Sequence, residues 1–176
     1  TWDLGWLEAL RGKHRQVFDM DALDGLGVVP NWLNAHEEVL GLRHPEVDAI
    51  VGIGGSAFPI NASDELYHKF PIGEEWKVTD PETQLHALRN IYLEGGKTQK
   101  EKEKTVLALQ GRGVIFWQCN NALKGIAERL ATLVKRPQPE GYQELRAGLH
   151  PWVIVVPAHT MLIGLAQEHG CSYEKI

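Results

Sequence analysis

Cysteine is scarce in this chain, two in 176 residues, too few for the multi-bridge framework that small secreted domains use in place of a core. Long hydrophobic runs are missing too. The longest apolar stretches reach about eight residues, against the roughly twenty that cross a bilayer, so no membrane span is expected. Positive charge is neither abundant nor gathered: 18 Lys and Arg stand against 23 Asp and Glu, a net charge of −5, and glutamates interrupt the basic stretch from Lys97 to Lys104. A nucleic-acid binder needs a basic face, and that class is set aside.

Several catalytic signatures are absent as well. No G-x-S-x-G elbow supports a serine hydrolase. No H-E-x-x-H, H-x-x-x-H or C-x-x-C spacing accompanies the eight histidines, so no metal is expected from local motifs. Gly54-Gly55-Ser56 resembles the start of a phosphate-binding turn, yet Ala57-Phe58-Pro59 follows where a further glycine is wanted, and the Walker lysine and hydroxyl are missing. His36 and His150 read as packing or hydrogen-bonding residues.

What remains is an ordinary folded composition, 43% apolar and 23% charged, with 18 glycines and nine prolines. The length suits one domain, residues 1–176, with a core that needs no covalent staple. Thr1 stands where a methionine would start a chain. The expectation is a cytoplasmic protein, with export after loss of a signal peptide as the alternative.

Short apolar runs alternate with amphipathic segments, the pattern of an α/β protein with a parallel sheet. Strands are expected at Gln16–Met20, Val47–Ile53, Val114–Cys119, Trp152–Val156 and Cys171–Ile176. Helices are expected at Val28–Leu42, from Ser63 or Asp64 onward, at Glu103–Gln110, from Asn120 or Asn121 to Val134, at Tyr142–Leu149 and at Ala158–His169, with Met161, Leu162, Leu165 and Ala166 inward. Trp117 and Trp152 read as core strand residues, whereas Trp2, Trp6 and Trp76 suit an interface or a pocket wall. Residues 71–100 break the rhythm with Pro71, Gly73, Pro81, Gly95 and Gly96, and read as an irregular insertion. Five strands with intervening helices predict a flavodoxin-like three-layer sandwich around a mostly parallel five-stranded sheet.

Ligands of open parallel sheets bind beyond the strand carboxyl ends. That rule picks out Asp19, Met20, Gly54, Gly55, Ser56, Cys119, Asn120, Asn121 and Pro157 to Thr160, and leaves Cys171 at the opposite edge. Cys119 stands directly before a helix, whose free amides favour a thiolate. If the strands ending at Cys119 and Val156 are neighbours, His159 comes within reach of the sulfur, where an imidazolium would stabilise the anion and move protons. The plainer alternative makes Cys119 a small buried hydrophobe and His159 a cap or packing residue. A metal held by Cys119 and His159 together is a further alternative. A Cys119–Cys171 disulfide is disfavoured by the length of a strand, about 17 Å, against the roughly 7 Å that bridged Cα atoms tolerate.

The segment Gly113-Val114-Ile115-Phe116-Trp117-Gln118-Cys119-Asn120-Asn121-Ala122-Leu123-Lys124-Gly125 resembles the cysteine-bearing strand-to-helix unit of the DsrE/DsrF-like family. Lys13 to Met20, Gly54 to Pro59 and Gly170 to Ile176 are similar to corresponding blocks of a DsrE-like subgroup. The resemblance implies a subunit that assembles as a homo-oligomer, trimer or hexamer, and carries sulfane sulfur as a persulfide, with Cys119 at the sulfur-accepting position. It also implies a sulfur donor or acceptor protein as partner, and sulfurtransferase as the form an enzymatic activity would take. Residues 71–100 depart from the short relay subunits. Two rivals are kept: a module binding a small ligand, metal or haem, and an enzyme of another class on the same fold.

Overall fold

Val47 to Ile53 carries one charged residue, Asp48, and all seven positions are buried, as expected of a strand covered on both faces. In the computed structural model, which describes residues 1–176, it is one of five strands. The elements run α1 Gly5–Glu8, β1 His14–Met20, a 3₁₀ turn Gly25–Gly27, α2 Val28–Leu40, β2 Val47–Ile53, α3 Phe58–Asn61, α4 Asp64–Lys69 and α5 Ile72–Glu75. They continue α6 Gln99–Glu103, α7 Val106–Gly111, β3 Ile115–Cys119, α8 Asn120–Leu133, α9 Gln138–Ala147, β4 Val153–Val156, α10 His159–Glu168 and β5 Ser172–Lys175. The protein is an α/β fold with an all-parallel sheet, as its alternating pattern predicts.

Strand order is β4-β3-β2-β1-β5. Three successive crossovers therefore step one way from β1 to β4, and the last returns across the sheet to lie beside β1. Right-handed crossovers stepping in opposite directions place their helices on opposite faces. The core divides accordingly. Val29 and Leu33 of α2, Val106 and Leu109 of α7, and Leu123 and Leu130 of α8 pack on one face, while Leu7 of α1 and Leu162 and Ala166 of α10 cover the other with Val17, Ile50, Trp117 and Val156. Only the thinner layer lies over the face that Trp117 and Cys119 share by strand alternation.

Three expectations are corrected. The helix expected at Glu103–Gln110 is two short ones, α6 and α7, because Thr98 and Thr105 each cap a separate start, Thr98 in a capping box with Glu101. Trp152 lies outside β4 with φ 73° and is 84% exposed, so it is no core residue. Met161 is exposed beside the buried Leu162 and Ala166, because a helix lying over two strands buries only one stripe.

Residues 71–100 form an irregular but well-tied segment, with α5 and one antiparallel bridge, Thr79 to His86. Arg89 grips Asp80 through two hydrogen bonds of 2.8 and 3.1 Å, and the guanidinium holds the Asp80 carboxyl below the usual carboxylate range. Buried Asn90 donates to the carbonyls of Ile60 and Ala62 and accepts from the Tyr92 amide.

His150 is buried against the edge of Phe116, and its Nε2 has no hydrogen-bond partner. Burial holds its pKa below the ordinary imidazole value. The unfolded chain therefore binds a proton that the folded chain refuses as pH falls below about 6.5, and stability falls with it. His169, held up by Glu8, works in the opposite sense but at the exposed surface, where salt screens the pair. The thermal midpoint is expected to drop between pH 7 and about pH 5, and to drop less in His150→Leu. Equal drops would remove His150 as the cause.

Candidate functional site

β3 ends and α8 begins at Cys119, and the cysteine itself is the N-cap: its Sγ accepts the Ala122 N–H at 3.4 Å. Asn120 and Asn121, expected to cap, are instead the first two residues of the helix. The structure pairs Cys119 with Val156 in register, so the expected adjacency of β3 and β4 holds. The chain leaving β4 turns over the sheet and brings the His159 main-chain N–H to the same sulfur, at 3.3 Å. Two amide donors thus converge on the sulfur of a cysteine that is 6% exposed.

His159 reaches the sulfur by its backbone, which corrects the imidazolium pairing. Its ring is engaged elsewhere: the Trp117 indole Nε1–H donates to Nδ1 at 3.0 Å, and Nε2 lies 2.7 Å from Asp19 Oδ1. The Tyr173 hydroxyl donates to the other carboxylate oxygen, Asp19 Oδ2, at 2.5 Å, and this donation, with burial behind it, pushes the phenol pKa upward. With both ring nitrogens committed, His159 offers no free nitrogen to a metal shared with Cys119. No three His, Cys, Asp or Glu side chains gather as a metal set anywhere in the chain.

Register explains why these groups meet. Asp19 on β1, Gly52 on β2 and Trp117 on β3 form one row across the sheet. Gly52 is bare where the indole lies, since a Cβ there would sit 2.4 Å from Trp117 Cζ2. The His159 ring spans the gap to Asp19, at the strand around which the order reverses. A glycine inside a buried strand signals such a close approach, and it was the available sign of this row.

The remaining expected residues separate into three roles. Gly54 and Gly55 lie beside the two residues that hold the sulfur: a Cβ at Gly54 would meet the His159 ring at 3.7 Å, and one at Gly55 the Ala122 methyl at 3.8 Å. The Gly54 carbonyl accepts from buried Gln118 Nε2 at 2.6 Å, while Gln118 Oε1 accepts from Asn61 at 3.0 Å. Gln118 and Asn61, missed in the sequence, thus pin the glycine turn. Ser56 faces away and donates to Asp21 at 2.9 Å; that bond first, then Lys175 at 3.2 Å, lowers the Asp21 pKa. Asn120 is buried and accepts from Tyr142 and Arg146 of α9, tying two helices together rather than facing a ligand. Asn121 is exposed.

Cys171 is a free, buried thiol whose pKa burial pushes up to about 11. It immediately precedes β5, at the amino end of the parallel sheet, opposite the strand end that carries Cys119. His36 is a packing residue as expected, with Nδ1 2.8 Å from the Trp32 carbonyl and its ring against the indole. A separate cavity of about 830 Å³ opens between the turn after β1 and residues 81–105, with Leu26, Ile91, Tyr92, Lys97 and Lys104 among its walls. No helix is long and apolar enough to cross a membrane.

Comparison with known proteins finds no matching family model and no matching curated protein. Among solved structures, the chain is similar to a protein of unknown function, MTH1491 from Methanobacterium thermoautotrophicum, with a TM-score of 0.48 at 18% identity over 93% of this chain and 100% of that one.

Proposed function

We propose that Cys119 is a sulfur carrier, accepting sulfane sulfur as a persulfide and passing it to an acceptor thiol, in the manner of a sulfurtransferase or relay subunit. The observation that carries this reading is the pair of main-chain N–H groups, Ala122 and His159, directed at Sγ. Amide dipoles at a helix start stabilise negative charge on sulfur, and the thiolate is the nucleophile in sulfur exchange. The Cys119 thiolate attacks the outer sulfur of a donor persulfide or polysulfide. The donor's S–S bond breaks, its remainder leaves as a thiolate, and a Cys119 persulfide anion results with no net oxidation. Attack by the acceptor thiolate on that terminal sulfur reverses the exchange and restores Cys119. Gly54 and Gly55 present backbone rather than side chains beside the site.

Self-association as a trimer or hexamer, and a donor or acceptor protein, belong to the same proposal. Trp152 and Met161 are exposed apolar surface open to such contacts. Mass spectrometry after exposure to polysulfide tests the carrier. Wild type and Cys171→Ser are expected to gain about 32 Da on Cys119, and Cys119→Ser to gain nothing there. Equal behaviour of wild type and Cys119→Ser would end the reading.

The 830 Å³ cavity supports a second reading, a small-ligand module, since its size is that of small-molecule sites. Its walls are mostly polar, with Arg89, Lys97 and Lys104 facing Asp24, Glu82, Glu94 and Glu101 beside an apolar side that includes Leu26 and Ile91. This reading predicts ligand binding that survives Cys119→Ser.

A further inference from the structure

Trp117, His159, Asp19 and Tyr173 form one directed hydrogen-bond chain beside the sulfur. An indole only donates, so His159 Nδ1 accepts, and the neutral ring carries its proton on Nε2. That proton goes to Asp19 Oδ1. Tyr173 donates to Oδ2, which makes Asp19 an acceptor on both sides. Asp21, the next carboxylate, is paired with Ser56 and Lys175.

The place of His159 gives this chain its consequence. It is the first residue of α10, whose N-cap, Ala158, has no side chain able to hold the end. Uncapped helix ends fray, yet this end must keep one N–H on Cys119 Sγ. The imidazole supplies the anchor that the cap lacks, since both its nitrogens are tied to strands of the sheet. Bare Gly52 admits the indole that makes one of those ties.

We infer that Trp117, Asp19 and Tyr173 are positioning residues for the sulfur site: they clamp both ring nitrogens of His159 and so hold its main-chain N–H on Cys119. The inference deepens the carrier reading and takes its purpose from it. Its test, though, reads the thiol alone.

In a Cys171→Ser background, Cys119 is the sole thiol, and its alkylation rate by iodoacetamide against pH reports its ionisation. Thiolate absorbance near 240 nm, as the difference from the protein that also carries Cys119→Ser, reads the same event without a reagent. Trp117→Phe, which loses the indole donor, and Asp19→Ala, at a half-buried position, are each expected to raise the inflection by about one pH unit, the scale of one charge-assisted hydrogen bond. Circular dichroism identifies folded variants, and Asp19→Ala carries the test if Trp117→Phe does not fold. A folded Asp19→Ala protein whose profile superimposes on its parent would overturn the inference. A shifted profile in a protein that takes up no sulfane sulfur keeps the clamp and removes the carrier reading; an unshifted profile in one that does take it up has the opposite result.

Discussion

Gly52→Ala is expected to unfold about 5–10 °C below wild type and, where it remains folded, to raise the pH at which Cys119 ionises. The added Cβ would stand 2.4 Å from Trp117 Cζ2, 2.5 Å from Cε2 and 3.0 Å from Nε1. The indole is fully buried and cannot yield toward solvent. Overpacking of this kind costs about 1–3 kcal/mol, and each kcal/mol moves the midpoint of a domain this size by roughly 2–4 °C. The indole can escape only by moving, and any movement takes its Nε1–H away from His159. Differential scanning calorimetry reads the first effect and the alkylation profile the second. Wild-type stability in Gly52→Ala would mean that the indole has room the structure does not show.

Asn90→Ala is expected to cost about 2–4 kcal/mol and to loosen residues 71–105 ahead of the sheet. Its amide nitrogen satisfies two carbonyls, Ile60 and Ala62, at 2.9 and 2.7 Å, and its oxygen takes the Tyr92 N–H at 2.9 Å. Asn90 is 3% exposed, so truncation leaves three main-chain groups unpaired, at about 1–3 kcal/mol for each that water does not reach. Asn90→Asp is expected to give no rescue, because a carboxylate would face two carbonyl oxygens without a donor. Urea unfolding measures the cost, and hydrogen exchange locates it. Rescue by aspartate would assign Asn90 to packing alone. Loss of this tie is also expected to loosen the wall of the 830 Å³ cavity, to which the neighbouring Arg89, Ile91 and Tyr92 belong.

The strands were legible because their signal is local. Val47–Ile53 was bounded to the residue, and the runs ending at Cys119 and Val156 to within one at their starts, since a buried parallel strand must be apolar nearly throughout. The short helices α1, α3 and α5 escaped, because four residues are too few to show a helical period. The wrongly assigned cap had a different cause. Asn is a better N-cap than Cys by propensity, but here strand pairing carries through Cys119 and places its sulfur over the helix start.

By itself, the sequence determined the α/β class, the five strands, the irregular character of residues 71–100 and the place of Cys119 at a strand carboxyl end before a helix. These follow from patterns within about a dozen neighbouring residues, where side-chain period and backbone preference act directly. Only the tertiary structure decided what surrounds the sulfur. Strand order and register brought Asp19, Gly52 and Trp117 into one row, and the returning crossover laid His159 across it, by contacts spanning up to 140 residues. Such contacts depend on which strands are neighbours, and no local pattern encodes that. The same packing turned the His159 imidazole from an expected partner of the thiol into the anchor of the amide that meets it.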